Sequence, residues 1–342
     1  MNDIDVTVSD YNKTYEEILT GIDTDSFSET REENTTWQLD FSVTQTEDNA
    51  FAFDLLNHES SVFLLGQEFI VKQMTISAEG AEITKNVMAK HIYYTAQDGF
   101  RYNTITGSKS ASDCLSHIFS TGSMGFIFEV IDKNNVLEKV EQENFGNANY
   151  LTLIDEVLED YKLVVLPDNK KLTFVPIEDY GERVENPIRY LYNTDNLTLE
   201  IDTFSMRTQI KGFGKVRSDG IPYFDPRTYT SPESTIWGIR IQDPISDERY
   251  TVVGNMDRRL KLELQDYPAT TISTNLRLSF NVHLGDYVML IYEPLNLMYD
   301  VKIVGFKKYH LTDKPPEITL SNIKKSITKV LAQVIKNMKG AK

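Results

Sequence analysis

Between residues 276 and 309 the chain reads as three strands in succession. Leu276, Leu278, Phe280 and Val282 alternate with Arg277, Ser279 and Asn281, the two-residue period of a strand with one wet face. Beyond Leu284-Gly285-Asp286, residues 287–292 are apolar throughout, as in a strand buried on both faces. Glu293-Pro294-Leu295-Asn296 has the composition of a turn with proline at its second position. The return strand then sets Tyr299, Val301 and Ile303 against Asp300 and Lys302. This order predicts a compact antiparallel meander.

The first quarter of the chain says nearly the same thing. Trp37, Leu39, Phe41 and Val43 alternate with Gln38, Asp40, Ser42 and Thr44, so residues 39–43 echo residues 278–282. Residues 61–66 stand in the place of 287–292, and residues 69–73 in the place of 299–303. One small antiparallel β unit used twice is expected, the first copy carrying an added polar loop over residues 45–59. The rival reading is two unrelated meanders, since alternation is cheap.

A chain of 342 residues is longer than the ~250–300 at which single cores stop growing, so two to four domains are expected. Cys114 is the single cysteine, which excludes an internal disulfide framework and a Cys-based zinc site and suits a reducing compartment. The apolar runs are short strands, far below the ~18 residues of a membrane span, and Met1-Asn2-Asp3-Ile4-Asp5 lacks the basic start of a signal peptide. A soluble protein without a classical export signal is expected. The formal charge of -16 argues against affinity for nucleic acid or anionic membrane. That charge is uneven, because residues 321–342 hold six lysines and no carboxylate.

In chain order, residues 4–8 form a first strand, and residues 23–36 an acidic connection into the first copy of the unit. Residues 87–94 add a strand, completing a first β-barrel over residues 1–95. The stretch 95–110 is rich in Gly, Ser, Thr and Asn and reads as a domain boundary. A short helix at 111–119, a strand at 126–131, a helix capped by Asn149, and a hairpin around Pro167-Asp168-Asn169-Lys170 make residues 96–190 an α+β domain. Residues 191–216 and 271–320 are assigned to a second, discontinuous barrel, interrupted by a proline-rich insertion domain at 217–270. The fold class expected is mainly β with α+β insertions: two similar antiparallel β-barrels, smaller inserted domains and a C-terminal helix. That helix, residues 321–342, carries Ile323, Ile327, Val330, Leu331, Val334, Ile335 and Met338 as one apolar stripe, a candidate partner-binding face. It docks on its own body, joins a three-helix bundle or docks on a neighbour.

No phosphate loop, dinucleotide fingerprint, His-Glu-x-x-His or Gly-x-Ser-x-Gly occurs in the chain, so no catalytic, cofactor or metal residues are assigned and no cofactor is expected. Cys114 and His117 share a helix face and raise the question of a thiol nucleophile with its base, although such pairs are normally distant in sequence. Tyr223, Phe224, Tyr229 and Trp237 could stack on a sugar, or could be the small core of the insertion.

The order of elements resembles the prophage endopeptidase tail family, whose members are siphophage tail hub and tail-associated proteins. The resemblance is carried by the strand Trp37 to Val43, then Leu65-Gly66-Gln67-Glu68-Phe69-Ile70-Val71-Lys72, then Ile210-Lys211-Gly212-Phe213-Gly214-Lys215. It continues through Tyr229-Thr230-Ser231-Pro232, Asp247-Glu248-Arg249-Tyr250 and His283-Leu284-Gly285-Asp286-Tyr287-Val288. Such proteins look like the baseplate hub of contractile-tailed phages, in which two similar barrels per subunit alternate around a homotrimer. The resemblance implies a structural virion protein at the tail tip, made in the host cytoplasm, that adapts a sixfold tail tube to a threefold tip; with no catalytic constellation readable in the chain, no enzymatic activity is expected of it. The partners it implies are further copies of the chain, distal tail and tail tube proteins, and fibre or tip proteins. DNA would meet it only as passing cargo, and no membrane binding is expected. The alternatives are a tail-associated wall hydrolase, which the family name suggests, and a saccharide-binding module in the 217–270 insertion.

Overall fold

The computed structural model describes residues 4–120, 122–277, 283–295 and 297–321. The C-terminal stripe from Ile323 to Met338 and the predicted strand residues 278–282 lie outside them. The first sheet comprises β1 (Val6–Ser9), β2 (Glu16–Ile18), β3 (Ser28–Glu32), β4 (Thr36–Thr44), β5 (Ser61–Leu64), β6 (Gln67–Glu79) and β7 (Glu82–His91), with α1 (Ala50–Leu55) between β4 and β5. The alternation read in β4 is realised as alternate burial, with Trp37, Leu39, Phe41 and Val43 facing a core that includes Val62, Leu64, Phe69 and Val71. The β5–β6 hairpin turns in two residues, Leu65 and Gly66, both at positive φ. That backbone matches the twist of the flanking strands, and glycine adopts it without strain.

The middle of the chain forms β8 (Phe100–Lys109), α2 (Ala111–Phe119), β9 (Ile127–Val130), β10 (Val140–Asn149), α3 (Tyr150–Tyr161), β11 (Leu163–Asp168) and β12 (Lys171–Pro176). The helix at 111–119 begins with a capping box between Ser110 and Asp113, and α3 is capped by Asn149. Leu153, Ile154, Val157, Leu158 and Tyr161 of α3 pack against Cys114, Leu115 and Ile118 of α2 and against Leu163 and Phe174. Within the stretch read as a domain boundary, residues 100–109 form a strand paired with β10. Its Thr, Ser, Gly and Asn face water on a two-stranded ribbon, so it has no continuous apolar face to announce it. Asn34 fastens this unit to the first sheet, donating to Leu163 O at 2.8 Å and accepting from Val165 N at 3.0 Å.

The rest comprises β13 (Ile188–Arg189), β14 (Thr198–Asp202), β15 (Gln209–Phe213), β16 (Arg227–Thr230), α4 (Ser234–Trp237), β17 (Ile245–Ser246), α5 (Val253–Glu263), β18 (Ala269–Asn275), β19 (Tyr287–Tyr292), β20 (Leu297–Lys308) and β21 (Glu317–Ser321). One strand falls elsewhere than expected. The sequence places residues 209–213 in the second barrel, yet β15 pairs with β16 and β17, and α5 covers this small sheet through Met256 and Leu260, with Leu264 just after it, around Ile210. A strand of five residues shows its period but not its partner, and here the partner lies in the following loop rather than across the insertion.

The two outer sheets repeat one another strand for strand. The first runs β3-β4-β7-β6-β5-β1 and the second β14-β18-β21-β20-β19-β13, and the strands follow in the same chain order in both. The long central strand of each carries one extra residue, between Val71 and Gln73 in β6 and between Ile303 and Gly305 in β20. Just before the bulge each makes the same pair of backbone bonds. Val71 donates to Ser60 O and accepts from Glu59 N; Ile303 donates to Asp286 O and accepts from Gly285 N. One difference is that β1 runs antiparallel to β5, whereas the two-residue β13 runs parallel to β19.

This pattern corrects the residue match inferred from alternation. Val71 is equivalent to Ile303 rather than Val301, because the β19–β20 connection is two residues longer than the Leu65-Gly66 turn. The equivalent of β4 is β18 and not residues 278–282: Leu39 pairs with Ala89 as Ile272 pairs with Leu320. Slips by an even number keep the apolar face unchanged, so alternation is blind to them.

Candidate assembly surface

The side chains singled out for chemistry do not form a catalytic site. Cys114 is fully buried, its Sγ 3.5 Å from Tyr161 Oη, and burial pushes its thiol up to about 11. His117 instead bonds Asn103 O through Nε2 at 2.8 Å. A buried protonated thiol without the imidazole is inert. Phe224 and Tyr229 pack against the Ile210, Met256 and Leu260 core, so they are structural, while Tyr223 carries Arg217 over its ring at 4.9 Å. Trp237 is half-buried on α4. Among the described residues no cluster of three His, Cys, Asp or Glu is placed to hold a metal ion.

What the fold does build is a joint between its two sheets. β3 pairs antiparallel with the C-terminal half of β20, Gly305 opposite Glu32, Phe306 opposite Arg31, Lys307 opposite Thr30 and Lys308 opposite Glu29. Among the described residues the two sheets thereby become one sheet of 13 strands. Gly305 permits the close approach, since a Cβ there would stand 3.1 Å from Glu32 Cγ.

Polar side chains lock this joint. Glu29 accepts from Trp37 Nε1 at 2.7 Å and from His310 Nε2 at 2.6 Å, a bond between residues 281 apart in the chain. Burial opposes the charge on Glu29, but these two bonds prevail and hold its carboxyl below the ordinary range. Lys302 Nζ lies 2.8 Å from Glu33 Oε2 with both side chains nearly buried, a charge contact rather than an aligned hydrogen bond. Trp37 is sandwiched between the Arg31 guanidinium, 3.7 Å from its ring, and the His91 ring, stacked at 4.0 Å. Burial, with Arg31 nearby, lowers His91 to about 3, so it is neutral. Its Nδ1 accepts from Tyr93 N, and Nε2 is left to donate to Gln67 Oε1.

Among the described residues, the sheet ends at the two strands equivalent to those of the joint. β14, the equivalent of β3, is a terminal strand, and four of its five residues are exposed. Beyond the bulge β6, the equivalent of β20, is paired along one side by β7, while β5 reaches only to Ile70 on the other. Ile76 and Ile201 are 58% and 41% exposed at these edges.

Three family profiles match in succession: the prophage endopeptidase tail N-terminal domain at residues 6–91, a prophage endopeptidase tail domain at 98–174 and prophage endopeptidase tail at 182–331. A search of curated proteins finds no match. Among solved structures, the chain is similar to prophage tail protein gp18 from Listeria monocytogenes EGD-e, with 56% identity over 98% of this chain and 99% of that one and a TM-score of 0.76. The 43 kDa tail protein of prophage MuSo2 from Shewanella oneidensis shares the fold at 11% identity, covering 94% of this chain and 98% of that one, with a TM-score of 0.68. A tail protein from Neisseria meningitidis MC58 does so at 11% identity, 93% and 96% coverage and a TM-score of 0.64. The chain therefore belongs to the prophage endopeptidase tail family and is a structural protein of the phage tail.

Proposed function

We propose that the chain is a tail-tip hub: a homotrimer at the end of the virion tail that joins the sixfold tail tube and distal tail protein to a threefold tip or fibre during attachment and DNA delivery. The observation that carries this reading is the strand-for-strand repetition of the two sheets and their joining through β3 and β20. Three chains, each with two like halves, present six like positions to the tube and three to the tip. Closed cyclic assembly of this kind is the ordinary solution for a repeated heterologous contact. The acidic body suits a channel that DNA crosses without sticking.

The test is the molar mass of the full-length protein by light scattering across a concentration series, with class averages by electron microscopy. A threefold ring with six similar lobes supports the hub. A strict monomer at the highest concentrations argues against it.

A further inference from the structure

The joint inside the chain is a template for a contact between chains. Transferring the ladder equivalences, with Gly305 to Lys308 matching residues 73–76 and Glu29 to Glu32 matching residues 199–202, gives a definite register. We propose that the open edge of β6 pairs antiparallel with β14 of a second copy, setting Gln73, Met74, Thr75 and Ile76 of one copy opposite Asp202, Ile201, Glu200 and Leu199 of the next. The proposal rests on the hub reading and specifies which surfaces carry it.

Four observations support this partner over any other. The ladder is already built once, between the equivalent strands of the same chain, so the sheet continues in a shape it already has. The side chains fit in that register: Met74 meets Ile201 and Ile76 meets Leu199 on one face, Gln73 meets Asp202 and Thr75 meets Glu200 on the other, and no like charges oppose. Met74 and Leu199 already pack against the cores of their own halves, so pairing joins those two cores across the contact. Neither residues 73–78 of β6 nor residues 198–202 of β14 include the proline or lysine by which a monomer usually blunts an exposed strand. Because β6 and β14 are different surfaces, the contact is head-to-tail, which generates a ring when its rotation closes.

The template also says where the outer contact is weaker. The positions equivalent to Lys302 and Glu33 are Ile70 and Thr203, so its ion pair has no counterpart. The outer joint consists of backbone pairing and apolar contact, and forms by assembly rather than by folding.

Paired cysteines test the register in the full-length chain, Cys114 being buried and left in place. Thr75→Cys with Glu200→Cys, oxidised and run without reductant, is expected to give covalent dimers and trimers. Their yield should be at least ten times that of Glu79→Cys with Glu200→Cys, which is four residues out of register. Equal yields overturn the register. Cross-linked dimers from Thr75→Cys alone would mean that two β6 edges meet, and overturn the head-to-tail contact. An oligomer by light scattering that the 75/200 pair fails to trap overturns this contact and leaves the hub standing. A monomer that resists trapping removes both.

Discussion

The joint between β3 and β20 and the open edges of β6 and β14 are made of equivalent strands, yet their chemistry has diverged. At the joint the facing residues are Arg31 with Phe306 and Glu29 with Lys308, backed by His310, Trp37 and the Lys302–Glu33 pair. At the edges the equivalent residues are Ile201, Met74, Leu199 and Ile76, with no ion pair behind them. A contact closed once during folding can hold buried charge, because its partners are always present. One that must be exposed before assembly cannot, since each unpartnered charge would stay in water and resist desolvation. The difference separates a contact that sets orientation within the subunit from one suited to forming between subunits.

The largest effect is expected at the ion pair. Lys302→Met leaves Glu33 almost buried without its cation and should cost about 3–5 kcal/mol in urea unfolding. Adding Glu33→Leu should recover most of that loss, because two apolar side chains need no counter-charge. If the single change costs under about 1 kcal/mol, the joint is not locked electrostatically, and the contrast with the edges falls.

A pH titration probes the Trp37 sandwich behind β3. His91 is neutral in the folded protein down to about pH 3, whereas in the unfolded chain it titrates near 6.5. Below pH 6.5 the unfolded state therefore binds the extra proton, and stability falls with acidification until about pH 3. Between pH 6.5 and 5 the contribution of His91 is about 2 kcal/mol. His91→Gln should be flatter by that amount over this window, as read by thermal or urea unfolding at each pH. Equal slopes would mean that His91 is solvated and the sandwich is loose.

Glu29→Gln is a milder probe of the same region, keeping the shape but removing the charge that His310 and Trp37 address. It should cost about 1–2 kcal/mol at neutral pH. The folded carboxyl sits below its ordinary range, so its stabilisation is complete above about pH 4.5 and is lost as pH falls through the folded value. The penalty of the variant should fade in that acid range, and a penalty that persists there is not due to charge.

Much of the scaffold was legible in the sequence because burial imposes a period. The alternation of β4, the helical spacing from Leu151 to Tyr161 and the turn signal between β11 and β12 all correspond to observed elements. Periodicity does not name a partner. It could not show that β15 turns to β16, that the polar residues 100–109 gain their strand from β10, or that the copies are offset by two residues in one strand and six in another. The joint was the least legible part, since Glu29 and His310 look like an ordinary surface pair until the fold brings them together across 281 positions.

The smallest expected effect is the most discriminating. Ile201 lies on a terminal strand and is 41% exposed, so Ile201→Ser should leave the unfolding free energy of the isolated subunit within about 0.5 kcal/mol of the parent. Its equivalent at the joint, Arg31, is stacked on Trp37 and opposite Phe306, and Arg31→Ser should cost several times more, about 2 kcal/mol. Association should show the reverse order. Ile201→Ser removes an apolar contact at the centre of the proposed outer ladder and should weaken self-association at least tenfold by sedimentation, whereas Arg31→Ser acts on it only through the fold. If both variants alter stability alike and neither alters association, the edges are ordinary solvent-facing strands, and the likeness between joint and edge reflects ancestry without assembly.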